Sequence, residues 1–162
     1  MPLVSLTRLR LQSWRSYPGF GLWVLRSIWQ SLRAEGLLGL QLLRDRKHAY
    51  WTLTLWQDMQ SMEAFRNRGA HGSAMRHLAR WCDESAAAHW LVSEEELVGL
   101  SSPQWNQLQQ RLMQLGHFAA LPMASAAQRA RSIPPPSTVH WSRSSETPRS
   151  APASSAAARS NA

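Results

Sequence analysis

The spacing of apolar residues switches repeatedly between a period of two and a helical period along residues 7–92, and that succession constrains the fold more than any other feature. Over residues 7–13, Leu9 and Leu11 alternate with Arg8, Arg10 and Gln12, as in a strand. After the turn residues Tyr17, Pro18 and Gly19, a helical stripe of Phe20, Val24, Leu25, Ile28 and Leu32 runs until Gly36. Residues 37–43 and 50–56 read as two strands joined by the polar turn Arg44, Asp45, Arg46 and Lys47. Asp58 then caps a helix with Met62 and Phe65, and Gly69 breaks it. A second helical piece over residues 71–82 places Met75, Leu78 and Cys82 on one face. Alternation over residues 86–92 supplies a last strand. The order is βαββαβ, the ferredoxin-like plan of an α+β domain.

In this reading Leu9, Leu11, Trp51, Leu53 and Leu55 face the helices. Arg8, Arg10, Tyr50, Thr52, Thr54 and Trp56 share the other face, which is too aromatic for open solvent and too polar for a dry core. A second sheet from a partner subunit would cover it, so the expected assembly is a homodimer that closes a dimeric α+β barrel. Farther on, Ser93 and Glu96 resemble a capping box, and Pro103, Trp105, Leu108, Leu112 and Leu115 predict an accessory surface helix. From about residue 124 Ser, Ala, Pro and Arg dominate, with Pro134, Pro135 and Pro136 in a row. The sequence therefore predicts a domain over residues 1–122 and a disordered tail over residues 123–162.

The formal charge is +8, but half of the excess lies after residue 122 and the rest is spread over helices and turns. No aromatic platform for single strands accompanies it, so nucleic-acid binding is not expected. Cys82 is the single cysteine, which rules out an intramolecular disulfide and points to a reducing, cytoplasmic setting. Arg8, Arg10, Arg15 and Arg26 interrupt the apolar N-terminal stretch, so no membrane span is expected. The six histidines show no metal-ligand spacing with one another or with Cys82, and His71 and His77 point to different sides of a helix. No metal site is expected.

Three constellations carry chemistry. His71, at the start of the second helical piece, either caps the Gly69 break or presents its imidazole to a ligand. Arg8 and Arg10 either stabilise an anionic ligand or reach the rim and pair with Asp or Glu of the second subunit. Trp51, Trp56, Trp81 and Trp90 are either core or the walls of an aromatic cage.

The runs "WTLTLWQD", "SMEAF", "GAHGSAMRHLARWCDES" and "AAAHW" between residues 50 and 90 resemble the dimeric α+β-barrel superfamily that includes the antibiotic-biosynthesis monooxygenases. The Leu-Trp, Phe and Gly-x-His arrangement is also similar to the haem-dependent spheroidene monooxygenase family. The resemblance implies a monooxygenase-like protein that takes a hydrophobic aromatic or polyene molecule in a cavity between helices and sheet, with either no cofactor or haem. In the first case His71 would be the acid/base, Arg8 or Arg10 would stabilise an anion, and Tyr50, Thr52, Thr54, Trp56, Trp81 and Trp90 would line the site. In the second, His71 would be the axial haem ligand. The alternative is a non-catalytic dimeric ligand-sensing or interaction domain.

Overall fold

The computed structural model describes residues 1–93, 96 and 105–144. Strand β1 (Leu3–Leu11) leads through a short turn at Trp14–Ser16 into helix α1 (Tyr17–Ser31), where Pro18 occupies the first turn and needs no amide partner. Strands β2 (Leu37–Asp45) and β3 (Tyr50–Trp56) form the expected hairpin. Helix α2 (Met59–Arg66) starts at Asp58, whose carboxylate accepts from the Ser61 amide at 2.8 Å. Helix α3 (Gly69–Trp81) and strand β4 (Cys82–Leu91) complete the βαββαβ core.

Beyond it lie α4 (Trp105–Leu115), β5 (His117–Phe118), α5 (Ala126–Arg129) and β6 (Pro136–Ser144). All neighbours in the six-stranded sheet are antiparallel, in the order β5-β4-β1-β3-β2-β6. The middle four strands have the ferredoxin-like arrangement, extended by one strand at each edge.

The register of β1 on β3 pairs Leu9 with Tyr50 and Arg8 with Trp51, and directly paired residues project to the same face. Tyr50, Thr52, Thr54 and Trp56 therefore lie on the helix side with Leu9. Trp51, Leu53 and Leu55 lie on the far side with Arg8. The two faces of β3 are thus the reverse of the sequence-based assignment, because a one-residue choice of register moves every side chain of a strand at once.

Cover for the far side comes from the same chain. Val4, Leu6, Leu43, Trp51, Leu53, Ala86 and Ala88 pack there against Leu108 and Leu112 of α4 and against Ile133. The need for a partner subunit was inferred from the Tyr50 to Trp56 face, and α1, α2 and α3 already cover it.

Residues 123–144 also differ from the expected tail. Gln128 is buried; its Oε1 accepts from the Ser85 amide at 2.5 Å and its Nε2 donates to the Ala119 carbonyl at 2.8 Å. Ile133 enters the core, and β6 pairs with β2 along its length. Composition alone suggested disorder because few apolar residues are present, yet one buried isoleucine, a satisfied glutamine and a ladder of backbone bonds are enough to order the segment on a preformed sheet. The part of the expected tail over residues 145–162, like Pro103 of the expected accessory helix, falls outside the described residues.

Candidate functional site

A cavity of about 170 Å³ lies between the helix side of the sheet and the three core helices. Its sheet wall is made by Thr7 and Leu9 of β1, Thr52, Thr54 and Trp56 of β3, and Ala87 and His89 of β4. Trp23, Val24 and Ile28 of α1 and Leu78 and Trp81 of α3 close it from above. Most of these groups are apolar because both α1 and the sheet turn an apolar face toward each other. Thr54 positions a neighbour: its Oγ1 donates to the Ser5 carbonyl at 3.2 Å and accepts from Trp56 Nε1 at 2.9 Å, which fixes the indole in the wall.

One end of the cavity is polar, with Arg66, His71 and His89. Gly69 makes this end possible. Its left-handed backbone (φ 58°) separates α2 from α3, and a Cβ there would lie 2.7 Å from Gln30 Oε1. The same Gln30 Oε1 accepts from the His71 amide at 3.2 Å, while Gln30 Nε2 donates to the Arg68 carbonyl at 3.0 Å. The His71 ring sits 4.7 Å from that of Phe65, and its Nδ1 lies 3.2 Å from the Arg66 carbonyl. A carbonyl only accepts, so Nδ1 carries the proton and Nε2 is left with its lone pair. Capping of the break and presentation of a basic nitrogen, weighed as alternatives from sequence, are compatible in one ring.

Burial lowers the His71 pKa, and the nearby Arg66 charge lowers it further against the opposing effect of the carbonyl bond. The His89 pKa is lowered for the same two reasons, burial first. Both rings are neutral in the folded chain under conditions where an exposed histidine takes up a proton. In the unfolded chain they titrate near the ordinary value, about 6.5. The unfolded state then binds more protons, so stability is full above that pH and falls as the pH drops below it. Urea midpoints are expected to decline between about pH 7 and pH 5, and a His71→Asn/His89→Asn variant should flatten that decline. An unchanged slope in the variant would place the effect elsewhere.

Of the residues expected from sequence, His71, Thr52, Thr54, Trp56 and Trp81 meet at this cavity. Tyr50 is on the same face but beyond the lining: its ring packs 6.2 Å from Phe20, its hydroxyl lies 3.5 Å from that of Tyr17, and burial raises its pKa. Trp90 packs against the far-side core, with the Arg111 guanidinium 5.9 Å from its ring.

Arg8 and Arg10 are also on the far side, and their partners are carboxylates of the same chain. Arg8, 1% exposed, binds Asp45 through Nε at 2.9 Å and Glu84 through Nη1, and lies 5.7 Å from the Trp51 ring centroid. Its Nη2 is buried without a hydrogen-bond partner among the described residues. Arg10 binds Asp83 at 3.0 Å and Glu84 at 3.2 Å, and the Asp83 bond is the main reason its pKa is raised. The expected anion-binding role is thus corrected for both arginines, since their charge is already matched. Arg66 is the cation that the cavity offers. Sequence reasoning overlooked it and His89 because neither belongs to a motif; His89 was visible only as the polar interruption in an alanine-rich strand.

Cys82 is buried and its thiol pKa is pushed up to about 12 by burial and by Asp83, so it is a packing residue. Among the described residues no group of three or more His, Cys, Asp or Glu gathers to hold a metal ion.

The sequence matches the family described as a domain of unknown function, DUF3291, over residues 16–133. The chain belongs to the DUF3291 family. That match runs past residue 122 and takes in α4, α5 and Ile133, in keeping with their place in the DUF3291 domain. No curated protein matches this chain significantly in sequence.

Among solved structures, Rv0793 from Mycobacterium tuberculosis aligns at 7% identity with a TM-score of 0.52, covering 58% of this DUF3291 chain and 97% of its own. A conserved protein from Methanosarcina mazei Go1 aligns at 12% identity and 0.51, covering 57% and 94%. SnoaB, a cofactor-independent oxygenase from Streptomyces nogalater, aligns at 15% identity with a TM-score of 0.48, covering 57% and 94%. The first two share the ferredoxin-like fold of this DUF3291 protein. No described helix is long and apolar enough to cross a membrane.

Proposed function

We propose that this protein binds a small, largely apolar ring compound with one acidic hydroxyl or enol group, and that His71 takes the proton of that group. The observation that carries the reading is the neutral His71 ring, with Nδ1 tied to the Arg66 carbonyl and Nε2 left basic, at the polar end of an otherwise apolar cavity. Arg66 lines the same end; its ion pair with Glu63, at 3.6 Å, is long and exposed, which leaves its charge available to the anion that results. An electron-rich anion held away from water is the species that a monooxygenase-like reaction without a cofactor would present to dioxygen, which is the class implied by the sequence resemblance.

The volume sets the size of the compound. A cavity of about 150 Å³ accommodates a benzene ring, and sites for drug-sized ligands are about 300–1,000 Å³. The space here suits one ring, so a polyene is set aside, and a haem macrocycle does not fit the cavity.

Para-nitrophenol tests the reading because its phenol and phenolate absorb at different wavelengths. The wild-type chain is expected to bind it and to enrich the phenolate relative to free solution at the same pH. His71→Asn retains a donor for the Arg66 carbonyl and should keep the fold within ~1 kcal/mol, yet bind the probe as the phenol. Identical spectra for both chains, or no binding by either, would refute the proposal.

A further inference from the structure

Helix α1 is apolar on both sides. Its inner face, with Val24 and Ile28, walls the cavity, whereas Leu22, Leu25 and Trp29 fall within an outward arc of about 60° at ~100° per residue. These three are 51%, 67% and 61% exposed. A helix that is apolar all round is ordinarily covered on every side, so the outer stripe calls for an occupant.

The surroundings of the stripe are basic. Arg15, Arg26 and Arg33 are exposed along this segment, and no Asp or Glu occurs before Glu35. The Arg33 guanidinium lies over the Trp29 ring at 3.6 Å, so charge and indole form one amphipathic unit. Helix α3 packs alongside, with Trp23 and His77 stacked at 6.1 Å, and adds exposed Arg76 and Arg80 without an acidic residue of its own.

From this we infer that the outer face of α1, together with the basic side of α3, docks the protein on an anionic membrane surface. The leucines and Trp29 enter the boundary between headgroups and acyl chains, and the arginines meet lipid phosphates. A second copy of the chain is a poorer occupant. A two-fold contact sets the patch against itself and would bring the arginines of both copies together, with Glu35 the first carboxylate along the segment to offset them. The inference does not depend on the cavity's ligand, and its test contains none.

The full chain is floated with vesicles of phosphatidylcholine, alone or mixed in equal parts with phosphatidylglycerol. Binding to the mixed vesicles is expected, with loss at high salt and little association with the neutral ones. Leu25→Ser/Trp29→Ser changes only exposed side chains and should keep the melting temperature while weakening partition by about tenfold or more. Arg26→Glu/Arg33→Glu should do the same. Because arginines near the C-terminus also attract anions, Arg143→Gln/Arg149→Gln/Arg159→Gln is the control and should retain most of the binding. The inference fails if wild type ignores the mixed vesicles, if neutral vesicles bind equally, or if binding follows the C-terminal arginines rather than the helix. It fails too if sedimentation finds a dimer that Leu25→Ser/Trp29→Ser dissociates.

Discussion

Replacing Arg8 with Met is expected to lower the unfolding free energy by about 3–5 kcal/mol, a large part of the whole stability of a domain this size. Arg8 bridges Asp45 and Glu84, and all three are essentially inaccessible to water. Without the guanidinium the two carboxylates keep their desolvation cost and lose the charge that offsets it. Asp45 also holds the turn and the neighbouring indole, since Oδ1 accepts from the Lys47 and Ala49 amides at 2.8 and 3.1 Å, and Oδ2 from Trp51 Nε1 at 3.0 Å. Loss of Arg8 therefore also strains the β2-β3 hairpin that positions one wall of the cavity. Arg8→Met/Glu84→Gln, which removes one of the stranded charges, should recover part of the loss, giving a coupling energy of about 0.5–3 kcal/mol. Urea titrations of Arg8→Met, Glu84→Gln and the double variant decide it. A cost below ~1 kcal/mol for Arg8→Met would mean that water reaches the cluster.

Ending the chain at residue 125 is expected to be as damaging. The cut removes Ile133 from the far-side core, where loss of a buried aliphatic side chain costs about 2–5 kcal/mol. It also removes both bonds of Gln128, so the buried Ser85 amide and the Ala119 carbonyl lose their partners, at ~1–3 kcal/mol each. Strand β2 loses β6 and becomes an open edge with a free row of backbone groups. The shortened chain should melt far lower or aggregate. A second chain ending at residue 144 separates the part played by α5, Ile133 and β6 from that of the residues after them. If the chain ending at residue 125 melts within a few degrees of wild type, Gln128 and Ile133 are passengers on the sheet.

The two experiments bear on the readings in which sequence and structure differ. Elements were legible because each rests on a local signal. The Leu9 and Leu11 alternation, Pro18 at the start of α1, the cap at Asp58 and the break at Gly69 all act within a few residues and place the elements. Two bounds differ: β1 begins earlier than expected, at Leu3, and Cys82, expected at the end of the second helical piece, opens β4 because strand pairing with β1 outweighs the helical spacing. Trp105, Leu108 and Leu112 likewise placed the accessory helix. His71, which lines the cavity, was legible as a residue with a polar contact because it follows a forced break, where a side chain near free backbone groups has something to bind.

Pairing across the chain was not legible. Nothing local distinguishes Leu9 opposite Tyr50 from Leu9 opposite Trp51, since β3 carries bulk on both faces and a shift of one residue exchanges them. Register on β1 settled the choice, and with it the far-side placement of Trp51 next to Arg8. No partner for Arg8 and Arg10 was visible within their own chain because Asp45, Asp83 and Glu84 are 35 or more residues away and are brought close only by closure of the sheet. Residues 126–144 looked too poor in apolar groups to order, a fair estimate for a chain in isolation. The fold supplies what composition lacks: an open β2 edge, an unpaired Ser85 amide and a gap for Ile133. What the sequence determined alone was therefore the elements of the βαββαβ core and the accessory helix, and their order, through period, caps and breaks. Which faces meet, which charges pair and where the cavity closes was decided only by tertiary structure, because those free energies belong to pairs of distant residues.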